Sequence, residues 1–144
     1  MKTLPLVTLT ALCAASVLLS PFASAAGDDG ALTVRPAGYR PHPGDVKVGE
    51  KLFNDPRLST NGMSCATCHA NHASYSASFA QPYPHIVAMA RDQLGRKQVY
   101  LDEMIQACMV MPMAARPLPW DSKELAALVA FVEREQRTFK PVKP

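Results

Sequence analysis

Cys65-Ala66-Thr67-Cys68-His69 sets two thiols three residues apart and an imidazole directly after the second. Thiols at that spacing add across the two vinyl groups of a haem, and the imidazole that follows then lies under the iron. The pentapeptide therefore implies one covalent haem c, bound through Cys65 and Cys68, with His69 as proximal ligand to the iron. Two other chemistries use a Cys-x-x-Cys pair. A dithiol redox centre sits at a helix start after a strand, and no βαβ pattern surrounds this pair. A structural zinc site needs two more ligands, and Cys108 with His72 or His85 gives no recognised spacing.

An electron-transfer haem generally takes a second axial ligand, and Met109, Met111 and Met113 are the nearest supply. Met109 falls on the helical pattern that carries Cys108. Met113 lies in a proline-broken stretch, 44 residues after His69 and 15 before Leu128. It is the first choice, with Met111 second. Methionine is also an adaptable core filler, but a proline-broken backbone needs a reason to be buried. His85 is a bis-histidine alternative; His72, three residues from His69, is poorly placed to reach the opposite haem face. Of the four cysteines, Cys13 lies in the leader described below and two belong to the haem motif, which leaves Cys108 without a partner. It is a buried inert thiol, one half of an intermolecular disulfide, or a thiolate ligand.

These residues need elements to position them. Asp45 can cap a helix whose apolar residues Val46, Val48, Leu52 and Phe53 gather on one side, and Asn54-Asp55-Pro56 ends it. Residues 57–84 show neither helical nor strand periodicity outside the haem segment, as expected of a long loop wrapped around something. A short helix is expected from His85 to Leu94, stopped by Gly95, and a second from Gln98 to Met109 with Leu101, Met104, Ile105 and Cys108 on one face. Three prolines in residues 111–119 break it. Asp121-Ser122-Lys123-Glu124 starts the last helix, whose stripe Leu125, Leu128, Val129 and Val132 runs to about Thr138. No segment alternates like a strand, so the fold class is all-α.

The chain of 144 residues is sized for one domain. Met1-Lys2, the apolar run Leu4 to Leu19 and Ala23-Ser24-Ala25 read as a signal peptide over residues 1–25, which implies export to the periplasm. Residues 26–44 form an irregular lead-in and 45–144 the haem domain. No integral membrane span is expected in the mature chain. Without the leader, which contains one basic residue, 14 Lys and Arg face 12 Asp and Glu, a balance that selects no partner class. Arg91/Arg96/Lys97 and Arg134/Arg137/Lys140/Lys143 are local basic groups of the kind solvated helix faces carry. No nucleic-acid motif accompanies them. The expected partners are redox proteins, met as a monomer or as a subunit of a redox complex.

The run Val48-Gly49-Glu50-Lys51-Leu52-Phe53, with Asp55-Pro56-Arg57-Leu58-Ser59 and the haem pentapeptide, resembles the class I cytochrome c fold and is worded like di-haem cytochrome c peroxidases. Only one haem motif is present, which departs from the peroxidases. The second half, from Ile105-x-x-Cys108-Met109 through Pro117-Leu118 and Leu125 to Phe131, resembles haem domains of sulfur-oxidation proteins: the SoxA and SoxX subunits and thiosulfate dehydrogenase. The resemblance implies first and last helices crossing closely, with Gly49 and Phe53 against Leu128 and Phe131. It implies a distal methionine at Met113, although Met111 has the Met-Pro form common in class I cytochromes. It also implies a proline carbonyl, at Pro82 or Pro84, accepting the Nδ1–H of His69. In the sulfur-oxidation domains a cysteine placed like Cys108 commonly pairs with another, and this chain offers no such partner. Trp120 packs by a haem propionate or closes the core. The implied function is periplasmic electron transfer without substrate chemistry; the alternative is a haem subunit of a thiosulfate-oxidising or related oxidoreductase.

Overall fold

The computed structural model describes residues 33–141, so the signal peptide and the first part of the lead-in lie outside the described residues. Five α-helices follow one another: α1 (Val46–Phe53), α2 (Cys65–His69), α3 (Ala88–Leu94), α4 (Leu101–Val110) and α5 (Lys123–Thr138). No strand forms among the described residues. The fold is all-α, as the periodicity predicts, and no described helix is long and apolar enough to cross a membrane.

The two outer helices start where their caps require. The Asp45 carboxylate accepts from the N–H groups of Lys47 and Val48, and the Ser122 hydroxyl from that of Leu125. Each satisfies donors that a helix start leaves without an intrahelical partner. Helix α1 packs most extensively against α5. A Cβ at Gly49 would run into the Ala127 carbonyl and the Phe131 side chain, so only glycine lets the backbones come this close. Phe53 and Phe131 then meet with ring centroids 4.9 Å apart. The crossing implied for Gly49, Phe53, Leu128 and Phe131 is present, and it forms the back wall of the molecule.

The middle helices begin later than the apolar spacing predicts. His85 and Ile86 precede α3, because the His85 and Val99 backbones exchange hydrogen bonds of 3.2 and 3.0 Å in an isolated antiparallel bridge. Residues 98–100 are likewise held outside α4, which opens when the Glu103 carboxylate accepts from the Tyr100 N–H. Gly95 ends α3 at φ +65°, the left-handed cap that glycine adopts without steric cost.

Helix α4 is buried almost all round, and the polar groups on it are paired. Arg35 of the lead-in forms two 2.8 Å bonds to Asp102, gives its backbone N–H to Glu103, and lies over the Tyr100 ring. Gln106 is fully buried; its amide donates to the Leu118 carbonyl at 2.6 Å and accepts from the Leu118 N–H at 2.8 Å. That pair of bonds lets the proline-broken segment after α4 lie against the helix with its backbone satisfied. Trp120 meets Tyr39 edge to face at 5.1 Å and packs on the core, the second of its two expected roles. Three of the basic groups are paired: Arg91 with Asp92, Arg96 with Thr33, and Arg134 with Glu50 and Glu135.

Candidate haem site

Helix α2 is one turn and a half long and begins where the Ser64 N–H donates to the Thr67 hydroxyl at 2.9 Å. That turn brings Cys65, Cys68 and His69 to one cleft of about 270 Å³, near the lower end of the range of ligand pockets, about 300–1,000 Å³. Behind them stand Phe53 of α1, Leu101 and Ile105 of α4, and Leu128 and Val132 of α5.

The His69 Nδ1 lies 3.2 Å from the Ala73 carbonyl, which can only accept. Nδ1 therefore carries the hydrogen, and the Nε2 lone pair is left for a metal. Burial pushes the imidazole below its ordinary pKa, with the Ala73 bond opposing, so the ring is biased towards the neutral, ligating form. The acceptor expected at Pro82 or Pro84 is thus corrected to Ala73, four residues after His69. Left-handed backbone at Asn71, His72 and Ser74 folds the chain back tightly enough to bring it there. The His69 ring stacks on Tyr75 at 4.1 Å and Tyr75 on Phe79 at 3.8 Å, both within 9° of parallel. Phe139 closes this column edge-on.

Met113 is 3% exposed and lines the same cleft, while Met111 and Met109 do not. Met109 lies on α4, as predicted, and Met111 caps that helix. The Met113 backbone is fixed twice: its N–H donates to the Cys108 carbonyl at 3.2 Å and its carbonyl accepts from the Thr60 N–H at 3.4 Å. Asn61 holds the preceding Pro112 carbonyl at 2.8 Å. Met63, Met89 and Met104 also line the cleft. The sequence reading assigns none of them to the site: Met104 and Met89 fall on helical patterns as apolar residues of α4 and α3, and Met63 lies in irregular backbone that shows no period.

Cys108 lines the cleft from α4, and burial pushes its thiol up to about 12. Cys65 is pushed up to about 11 for the same reason. Neither is a ready thiolate in this state. His85, the bis-histidine alternative, lines an adjoining pocket that Met113 does not, beside Tyr83.

A haem fits these residues. Two thiols and a neutral imidazole on one turn match its vinyl groups and iron, a buried thioether lines the same cleft, and the walls are apolar, as the macrocycle requires. A family model described as SoxA/TsdA, cytochrome c domain, matches residues 48–140. No curated protein and no solved structure gives a significant match. A cytochrome c domain carries covalent haem c with its iron, transfers electrons through it and exchanges them with redox partners. By this match over most of its length, the chain belongs to the SoxA/TsdA cytochrome c domain family.

Proposed function

We propose that the chain is a periplasmic one-electron carrier with a single haem c, tethered by Cys65 and Cys68 and ligated by His69 and Met113. The observation that carries this reading is the convergence of those four side chains on one cleft. Haem iron supplies a one-electron couple when bound. The chain's own residues do the rest. Ala73 orients the His69 ring, the bonds from Thr60 and Cys108 hold Met113 in place, and α1 and α5 keep water from the back of the cleft. A neutral, soft thioether favours the ferrous state relative to imidazole or thiolate, which suits a carrier of high potential. The protein serves larger redox proteins and performs no substrate chemistry of its own. The match ends at residue 140 and includes one Cys-x-x-Cys-His, consistent with a single haem.

Denaturing gels stained for haem test the attachment. Wild-type protein retains the stain in hot detergent, and Cys65→Ala or Cys68→Ala weakens or loses it. A wild-type chain that sheds all its haem would remove the covalent reading.

A second reading is favoured by the family and by Cys108 on the cleft: a haem subunit of a thiosulfate-oxidising or related sulfur-compound oxidoreductase. Reduction of the purified ferric protein by thiosulfate alone, at a rate that Cys108→Ser abolishes, would favour it over the carrier.

A further inference from the structure

An unassigned pair of side chains, Tyr83 and His85, lines the pocket that adjoins the cleft. Haem is amphipathic: its two propionates project from the half of the ring away from the vinyl groups. Once Cys65 and Cys68 fix the vinyl half, the carboxylates must lie towards the other end of the cleft. The adjoining pocket, which shares His69, Tyr83 and Cys108 with the cleft, lacks Cys65 and Cys68 and is lined also by His85 and the serines 74, 76 and 78. The apolar walls at Phe53 and Leu128 do not reach it.

His85 is 8% exposed, and neither of its ring nitrogens has a hydrogen-bond partner. Buried polar groups are almost always paired, so an orphaned imidazole beside a cofactor cleft calls for a ligand. The side chain is placed by its backbone, through the bridge to Val99, and by the Tyr83 ring 4.2 Å away. Its terminal torsion is broad and two-fold, so either nitrogen can turn to the cleft. Tyr83 makes no hydrogen bond through its hydroxyl among the described residues. Burial raises its pKa, which keeps it a neutral donor. Two donors without acceptors thus stand where the chemistry of the group places a carboxylate.

We propose that the Tyr83 hydroxyl and the His85 imidazole hold a haem propionate where the cleft meets the adjoining pocket that lacks Cys65 and Cys68. The inference rests on the haem attachment proposed above. Both donors draw negative charge from a carboxylate close to the iron. Removing either leaves that charge less compensated and favours the ferric state.

The test uses holoprotein that has passed the haem stain, so a failure of attachment is seen first and separately. Resonance Raman spectra report the propionate bending modes, and redox titration reports the midpoint potential. Tyr83→Phe, which loses one oxygen, and His85→Leu should each shift the bending mode and change the ferric-to-ferrous ratio about threefold, ~28 mV downward at 59 mV per tenfold. His85→Gln, which keeps a donor, should recover most of the shift. Unchanged modes and potentials in Tyr83→Phe and His85→Leu, or in Tyr83→Phe alone where His85→Leu does not fold, would overturn the proposal. So would loss of the low-spin spectrum in His85→Leu while Met113→Ala retains it, which would make His85 an iron ligand.

Discussion

Met113 and His69 line the same cleft from segments secured by different forces. The Met113 segment is tied by hydrogen bonds to neighbours on both sides, Thr60 and Asn61 before the haem motif and Cys108 and Met109 at the end of α4. The segment after His69 is held by rings: the column of His69, Tyr75 and Phe79 with Phe139 across it. Polar ties to α5 join the rings: His72 Nε2 lies 3.2 Å from the Glu135 carboxylate and 3.3 Å from the Thr138 hydroxyl, and Gln136 donates to the Phe79 and Gln81 carbonyls at 2.7 and 2.8 Å. Hydrogen bonds fix direction, whereas stacked rings tolerate sliding. On the proposed ligation, the segment that aims one sulfur atom has its backbone fixed by directional ties on both sides. The flank whose imidazole is already fixed by the adjacent covalent anchor can rely on apolar packing.

The largest effect that would break this contrast is at the sulfur itself. Met113→Ala should abolish the methionine–iron absorption band of the ferric protein, lower the potential, and cost about 2–5 kcal/mol from the cavity left behind. Met111→Ala should leave the band in place. If the band survives Met113→Ala and disappears in Met111→Ala, the directional ties serve the wrong residue. If neither matters and Cys108→Ser changes the spectrum, the iron is thiolate-ligated.

Gln136→Leu strikes the other flank. It should cost about 1–3 kcal/mol by leaving the Phe79 and Gln81 carbonyls without their donor, with the band unchanged in the folded protein. Chemical denaturation followed by tryptophan fluorescence and by the band itself separates the two effects. Asn61→Ala should be milder globally, about 0.5–1.5 kcal/mol, yet it should weaken the band at denaturant concentrations where wild type keeps it. A global loss with no selective loss of the band would put the Met113 segment under the same control as the His69 flank.

How much of this was legible follows the range of the interactions. The starts of α1 and α5 were readable because Asp45 and Ser122 act on the next few residues, and Gly95 marks its helix end in the same local way. Cys65, Cys68 and His69 were readable because their chemistry lies in five consecutive residues. The late starts of α3 and α4 were not, since the bridge between His85 and Val99 pairs residues 14 apart without any strand pattern. Nothing local marks Asp102 and Glu103 as buried, because their partner Arg35 lies 67 residues before Asp102. Thr60 and Asn61 looked like loop residues because their partners lie more than 50 positions away. The Ala73 acceptor was missed because the left-handed residues before it are not glycines, so nothing in the sequence marks the turn.

The smallest effect is at alkaline pH and bears on the helix that joins the flanks. The Cys108 thiol is pushed from the ordinary value near 9 up to about 12 by burial. In the unfolded chain it ionises above about pH 9, while the folded chain keeps it protonated. Its contribution is therefore intact below about pH 9 and is lost as pH rises from there towards 12. Cys108→Ala should flatten that part of the stability profile in thermal melts between pH 8 and pH 10, relative to wild type.

The side-chain amide of Gln106 also bears on how the protein ages. Hydrolysis of that amide would replace the Nε2 donor with a carboxylate oxygen facing the Leu118 carbonyl at 2.6 Å, two acceptors with no proton between them. The segment bearing Met113 would lose its support from the far end without any change in the genetic sequence. Because Gln106 is fully enclosed, water reaches it only when the molecule opens. Deamidation at this position should consequently accumulate in step with time spent unfolded, and the mass increment on the peptide containing Gln106 would serve as a record of each preparation's thermal history.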